Sequence, residues 1–175
     1  MPQTTPSLMV CVCDSLVIVK IAGRANCTVS VDFKRVVEEL RRRGCGQFVF
    51  ELSECATMDS TFLGVMAGLG QKPATEPADK PSASIQLLNP NARVAELLEN
   101  LGIAHLFQIA NDPNFIARNL EPVPLTPGGA DRAEVCRTSL EAHKLLMALN
   151  PENVAKFKDV TQFLAEDLKR MGDKG

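Results

Sequence analysis

The segment Met58-Asp59-Ser60-Thr61 is where the chain's residue types most clearly predict chemistry. An apolar run at residues 48–52 precedes it, and an apolar helical stretch starts directly after it, a pattern typical of a strand, a loop and a helix. Asp, Ser and Thr accept hydrogen bonds from the free N–H groups of a helix's first turn, so one of residues 59–61 is expected to be the N-cap. Because a helix N-terminus favours negative charge, a serine hydroxyl presented there is well placed to gain or lose a phosphate.

The flanking sequence predicts the elements that position this segment. Residues 8–13 and 16–22 are expected to be two strands of a hairpin, and residues 30–43 an amphipathic helix that ends near Gly44. A further strand is predicted at 83–88, then a helix that starts at Asn89-Pro90 and a short strand at 106–109. Strands that alternate with amphipathic helices indicate a layered α/β domain.

These motifs resemble the STAS domain, which bacterial anti-sigma factor antagonists share with the cytoplasmic tails of sulfate transporters. Family members commonly have an apolar strand that ends in DLS, followed after a few residues by MDSSGLGVL. Here Glu51-Leu52-Ser53 is followed by MDSTFLGVM at residues 58–66. The early strand with its GR turn (17–24) and the last helix and strand (89–109) are also similar, so that the resemblance covers residues 8–109. It implies a mixed β-sheet with amphipathic helices mainly on one face, as a STAS domain at residues 1–110.

The resemblance also implies a role for Ser60. In anti-sigma factor antagonists, the serine directly after the motif's Asp is phosphorylated by a partner kinase, which is itself the anti-sigma factor. That serine is Ser60, with Thr61 as the neighbouring alternative. A phosphate would add about −1.5 to −2 charge beside Asp59 and break a protein–protein contact, and a phosphatase is a possible further partner. The residues expected to bind the partner are Asn26, Met58, Asp59, Ser60, Thr61, Phe62, Leu63 and Val65. On the residue pattern alone, a simple helix cap is the favoured role of Ser60, and the resemblance shifts that preference to a phosphorylation site, a role that is compatible with capping.

Two positions depart from the family pattern. Phe62 stands where the family usually has Gly, and it either packs inward or forms an exposed anchor that tunes partner choice. Asn26 is a neutral amide in a turn that often carries Asp, which would affect phosphotransfer or partner contact if that Asp takes part.

Other functions remain open on the sequence. The chain is also consistent with an accessory subunit of a larger complex, such as a transport ATPase, in which the serine is only a cap. A nucleotide- or ligand-sensing module is a further alternative. An enzyme is not expected, because His105 and His143 lie far apart with no adjoining motif, and Gly68-Leu69-Gly70-Gln71-Lys72 lacks the full phosphate-loop pattern. No cofactor or metal is predicted.

The C-terminal third is predicted to be a separate extension. Residues 111–129 contain four prolines and are expected to be a linker, and residues 130–171 a helical hairpin whose second helix starts at Asn150-Pro151. An apolar stripe at Phe157, Val160, Phe163, Leu164 and Leu168 requires burial. The hairpin is expected to pack on the STAS sheet, with homodimerisation or partner binding as the alternative.

Composition excludes several classes of function. The net charge of −2 gives no electrostatic reason to bind nucleic acid or an anionic membrane. No apolar run approaches the roughly 20 residues that cross a bilayer, and no secretory signal is evident, so a cytoplasmic location is expected. Six cysteines without metal-ligand spacing are expected to be small buried hydrophobes, with a redox switch as the lesser alternative. The Pro-rich segment 71–82 is expected to be a mobile loop.

Overall fold

A computed structural model describes residues 5–71, 84–126 and 129–172. The predicted loop at 71–82 lies outside this range apart from Gln71. The strands are β1 (Ser7–Cys13), β2 (Leu16–Ala25), β3 (Gln47–Glu51), β4 (Cys55–Met58), β5 (Ser84–Leu88), β6 (Gln108–Ala110) and β7 (Glu121–Pro122). The helices are α1 (Cys27–Arg42), α2 (Ser60–Gly70), α3 (Ala92–Asn100), α4 (Arg132–Leu149) and α5 (Asn153–Gly172), with a 3-10 turn at Ala104–Leu106.

The strands form a mixed sheet in the order β6-β5-β3-β2-β1-β7, and β4 pairs separately with the end of β2. β1 runs antiparallel to β2 and to β7, whereas β2, β3, β5 and β6 are mutually parallel. The predicted mixed α/β architecture and the hairpin of β1 and β2 are therefore confirmed.

The core lies between one face of the sheet and the helices. Alternate residues of the central strands are buried, because successive side chains in a strand point to opposite faces. The buried set from β2, β3 and β5 is Val17, Val19, Ile21, Phe48, Phe50, Ile85 and Leu87. Phe33 and Val37 of α1 and Phe62 and Met66 of α2 belong to the same cluster. α1 and α2 thus cover the inner face of the sheet.

The ends of three elements differ from the sequence prediction. β2 does not turn at Gly23-Arg24 but continues to Ala25, with Gly23 at a φ of +77° where the pairing with β4 shifts register. α1 starts at Cys27, three residues before the predicted helix, because Asn26 caps it. α3 starts at Ala92 with Asn91 as its cap, whereas Asn89 has a φ of +55° and ends the preceding strand.

Two segments that were expected to be irregular carry strands. The link between residues 52 and 58 contains β4, whose four residues extend the parallel pairing of β2. The predicted linker contains β7, which pairs with β1, and Val123 beside it is buried. Thr126 is also bound to the buried carboxylate of Asp32 through its N–H and its hydroxyl. Residues 121–126 therefore pack on the domain.

The C-terminal helices form the predicted hairpin, but they pack on helices and not on the sheet. α4 lies against α2 and α1, and its Ala142 and Leu146 join the main core cluster. α5 starts at Asn153, three residues after the predicted cap, and the Asn153 side chain donates to the carbonyls of Leu101 and Leu146. The apolar stripe of α5 is only partly covered: Phe157 packs on the core, whereas Phe163 is 59% exposed.

The structure also bears on membrane insertion and on the cysteines. No helix in the described ranges is long and apolar enough to cross a membrane. The cysteines are not uniformly buried, since Cys45, Cys55 and Cys136 are buried but Cys13 is exposed, and those described form no disulfide.

Candidate functional site

The candidate site lies where β4 ends and α2 begins. Asp59 follows directly after β4, and its extended backbone (φ −85°, ψ 171°) identifies it as the residue before the first helical turn. Ser60 is therefore the first residue of α2 and is half-buried. The prediction that one of residues 59–61 caps the helix is confirmed, and the cap is Asp59.

Asp59 holds the N-termini of two helices together. Its Oδ1 accepts from the Phe62 N–H at 2.8 Å within α2, and its Oδ2 accepts from the Cys27 N–H at 2.6 Å at the start of α1. Burial raises the pKa of the Asp59 carboxyl, and the hydrogen bonds from the Phe62 and Cys27 N–H groups oppose that rise. Asp59 is thus tied to the fold by both carboxylate oxygens.

The Ser60 hydroxyl contacts a histidine from α4. Ser60 Oγ lies 2.7 Å from His143 Nε2, and His143 Nδ1 lies 2.6 Å from the carbonyl oxygen of Ser139. A carbonyl oxygen can only accept, so Nδ1 carries the hydrogen, and in the neutral ring Nε2 accepts from the Ser60 hydroxyl. His143 is 4% exposed and packs edge-on against Phe157. The Ser60 hydroxyl, which is the candidate phosphate acceptor, is therefore hydrogen-bonded to a side chain of the C-terminal hairpin.

The contact between α2 and α4 continues along the next turn. Thr61, which is 3% exposed, pairs with Ser139 through their hydroxyl oxygens at 2.8 Å. A Cβ on Gly64 would come within 2.6 Å of the Ala142 Cβ, so the two helix backbones approach closely at this point. Small residues on α2 thus make room for α4.

A partly open groove flanks this contact. It has a volume of about 290 Å³ and lies between α1, α2 and α4. Val65 and Gly68 of α2 line it together with Leu145 of α4 and the charged side chains of Lys34 and Glu141. Lys34 and Glu141 also pair at 3.4 Å, and this ion pair joins α1 to α4.

Most of the residues that were expected to bind a partner are buried in this conformation. Met58 is 4% exposed, Leu63 1% and Val65 7%. Phe62 is 0% exposed and stacks on Phe33, with ring centroids 4.7 Å apart. Phe62 therefore packs inward, and the alternative of an exposed anchor is wrong, because an aromatic ring replaces the usual Gly by filling space in the core.

Asn26 lies beside the site as a structural cap. Its Oδ1 accepts from the Val29 N–H at 3.1 Å at the start of α1. The Asn26 cap and the Asp59 contact with Cys27 place the N-terminus of α1 next to that of α2. Asn26 therefore shares the rim of the site with Asp59 and Ser60.

Sequence reasoning assigned no role to His143 and Ser139. Their spacing of four residues places both on one face of α4, and that spacing is the signal the sequence offers. His143 nevertheless lies 83 residues from Ser60 in sequence, so nothing local connects the two. His105 is in the 3-10 turn and takes no part in these contacts. No group of three or more metal-binding side chains occurs among the described residues.

Comparisons with known proteins agree on the architecture. No family model and no curated protein matches the chain. The anti-sigma factor antagonist SpoIIAA in its unphosphorylated form is similar in structure, with a TM-score of 0.50 and 14% identity over 62% of this chain and 89% of that chain. The solution structure of the Thermotoga maritima protein TM1081 has a TM-score of 0.50 and 21% identity, over 58% of this chain and 78% of that one.

These similarities, at under 25% identity, bear on the fold. Each covers most of the solved chain but only about three fifths of this one, so this chain carries additional segments. The mixed sheet and the helices on its inner face agree with that comparison. The chain has the fold of a STAS domain.

Proposed function

We propose that this protein is a non-catalytic regulator of the anti-sigma factor antagonist type. It binds an anti-sigma factor that has serine kinase activity, and phosphorylation of Ser60, or of Thr61 beside it, ends that binding. The bacterial, cytoplasmic setting is part of this proposal. The observation that carries it is the placement of the Ser60 hydroxyl on the first turn of α2, next to Asp59, in a STAS fold.

The proposed modification is a simple phosphoryl transfer. A bond forms between Ser60 Oγ and the γ-phosphorus of kinase-bound ATP, while the bond from that phosphorus to the bridging oxygen breaks and ADP leaves. The hydroxyl proton passes to a base supplied by the kinase. The product carries a charge of about −1.5 to −2 next to the Asp59 carboxylate, and like charges at a desolvated contact weaken it. A loss of only about 1.4 kcal/mol lowers affinity about tenfold.

In this proposal the partner first contacts fewer residues than the eight that the sequence predicts to bind it. Asn26, Asp59 and Ser60 are half-buried at the rim of the site. Met58, Phe62 and Leu63 are core residues and support that rim from below. Thr61 and Val65 lie on the side of α2 that faces α4 and the groove. A partner therefore meets the rim first.

The test is the phosphopeptide map of the protein isolated from its native cells. We expect a single phosphate on Ser60 or Thr61, lost in the double variant Ser60→Ala/Thr61→Ala. Ser53 is an exposed serine on the loop before β4, and Ser53→Ala is the matched control that should keep the phosphate. Failure to find phosphate at either residue during growth, starvation and stress would reject the proposed switch.

One observation favours a second candidate. The side chains of Ser60 and Thr61 both form hydrogen bonds with α4. These bonds are expected if the serine has only a structural role and the protein is a constitutive subunit of a larger complex, such as a transport ATPase. Affinity capture from native cells separates the two: an ATP-binding serine kinase supports the switch, and a membrane transporter supports the subunit. Thermal stabilisation by ATP or GTP would instead indicate a ligand sensor, because a ligand bound only to the native state raises its stability.

A further inference from the structure

The hairpin of α4 and α5 covers the side of α2 that the proposed function requires to be accessible. The side chains of Ser60 and His143 are hydrogen-bonded, and so are those of Thr61 and Ser139. One turn later, the backbone at Gly64 lies close to Ala142. These residues occupy successive positions along the α2–α4 contact. In this conformation the Ser60 hydroxyl is half-buried and hydrogen-bonded to His143 Nε2 at 2.7 Å, so α4 restricts the approach of a kinase to it.

We propose that α4 is an intramolecular cover of the Ser60 site, which separates from α2 before a partner binds or a phosphate is added. This inference rests on the proposed function and names its regulation. The closed form is held by the protein's own helix, and the open form presents Ser60, Thr61, Gly64 and Val65 to the partner. α4 and the partner therefore compete for one surface.

The cover is held by apolar packing of Ala142 and Leu146 and, around the site, by weak polar contacts. Next to the site they are hydrogen bonds between side chains, and each contributes about 0.5–1.5 kcal/mol net. The ion pairs from α1 to α4, Lys34–Glu141 and Arg35–Glu134, involve partly exposed side chains and contribute about 0–1 kcal/mol each. The groove of about 290 Å³ leaves part of the helix interface unfilled. The N-terminus of α4 also lacks a side-chain cap at Asp131.

Movement of the cover would withdraw Ala142 from the core cluster but leave the contacts on the inward side of α2 in place. The inward side of α2, through Phe62, Leu63 and Met66, packs in the cluster beneath the helices. The far end of the hairpin is held separately, because buried Asn153 donates to Leu101 at the end of α3 and to Leu146. The geometry therefore favours a movement that lifts the Ser139–His143 part of α4 and retains the turn near Asn150 as the pivot.

A phosphate on Ser60 would also weaken the closed form. In the closed form Ser60 Oγ donates to His143 Nε2 at 2.7 Å, and a phosphorylated oxygen has no hydrogen left for that bond. Modification would then keep the face of α4 exposed as well as release the partner. Phosphorylation would thus shift the equilibrium away from the covered form.

The test uses a wedge at the closest approach. In the full-length chain, Ala142→Leu places a larger side chain against the α2 backbone at Gly64, and Ala155→Leu makes the same change at an exposed position of α5 as the control. Hydrogen exchange in α4 and in the first turn of α2 should become faster in Ala142→Leu only, with exchange in β2 and β3 unchanged. Phosphate occupancy of Ser60 in native cells should rise several-fold over Ala155→Leu.

A second variant keeps the test decisive if the wedge disrupts the fold. Ser139→Ala/His143→Gln removes the hydroxyl contact with Thr61 and changes the contact with Ser60 without adding bulk. Exchange in α4 that stays as slow as in the wild type in both variants would overturn the cover. So would faster exchange with an unchanged, measurable phosphate occupancy, and the proposed function would then stand. Absence of phosphate from the wild type and from every opened variant would instead reject the proposed function, and the cover with it.

Discussion

At the scale of single residues, Asp59 has more than one structural task. Its two carboxylate oxygens receive N–H groups from α1 and α2, so it positions Ser60 and joins the two helices. The resemblance to the STAS motif identified Asp59 as part of the site, and capping preferences identified it as a helix start. The contact with Cys27 spans 32 residues and was not predictable, because α1, β3 and β4 separate the two residues along the chain.

The raised pKa of Asp59 gives a pH dependence of stability with a defined sign. Between the ordinary value of 3.8 and the higher value in the folded protein, the folded state binds more protons than the unfolded state. The free energy of unfolding therefore receives a contribution that falls as pH rises through that window. Asp59→Asn removes this contribution, so the variant should lose less stability than the wild type as the pH rises above the ordinary carboxyl value of 3.8.

Urea unfolding across that pH range measures the effect. Asp131→Asn is the matched control, since Asp131 is at the N-cap position of α4 but makes no side-chain cap bond. Its stability profile should run parallel to the wild type. Parallel stability profiles for Asp59→Asn and the wild type would show that burial does not raise the pKa of the Asp59 carboxyl.

At the scale of elements, the close contact of α2 and α4 depends on glycine. Alanine normally stabilises a helix by about 1 kcal/mol relative to glycine. A Cβ at Gly64 would instead meet the Ala142 carbonyl oxygen at 2.7 Å, so one helix has to move. We expect Gly64→Ala to lower the free energy of unfolding by about 1–3 kcal/mol, the usual cost of overpacking.

Gly68 provides the matched control one turn later in α2. A Cβ there would meet only the Leu145 Cδ2, at 3.2 Å, at the end of a flexible side chain. Gly68→Ala should therefore be neutral or stabilise the protein in the same urea experiment. Equal effects of the two substitutions would contradict the close approach of α4 at Gly64.

Element prediction succeeded where the pattern was local and strong. The apolar periodicity of α1, the alternation in β2 and β3 and the polar start of α2 were all identified from the sequence. Asn89-Pro90 misplaced the start of α3 by two residues, because Asn91 also has a capping side chain and takes that role. β4 was missed because four residues paired only at the end of β2 carry little periodicity of their own.

At the scale of the whole molecule, burial divides the cysteines into distinct classes. Burial raises the pKa of the Cys55 thiol to about 11, so almost none of it is thiolate at neutral pH. Cys13 is exposed on β1. We expect iodoacetamide at pH 8 to modify Cys13 readily and Cys55 only when the domain opens.

Peptide mass spectrometry over a time course distinguishes the two thiols. Cys45, which is also buried, is the internal comparison and should react slowly like Cys55. In mild denaturant the rates at Cys45 and Cys55 should rise together, because both belong to one core cluster. Rapid modification of Cys55 alone in native buffer would contradict its burial.

The sequence by itself determined the layered α/β architecture, the Asp59–Ser60 start of α2 and the existence of two C-terminal helices, because capping and periodicity are local properties. Only the tertiary structure decided that Phe62 fills the core and that α4 lies across Ser60. Those outcomes depend on packing between segments distant in the chain: Phe62 meets Phe33 across the α1–α2 contact, and His143 reaches Ser60 from the C-terminal hairpin. An amphipathic helix such as α4 could pack on many helix faces. It packs on α2 because Gly64 permits a close approach of the two backbones.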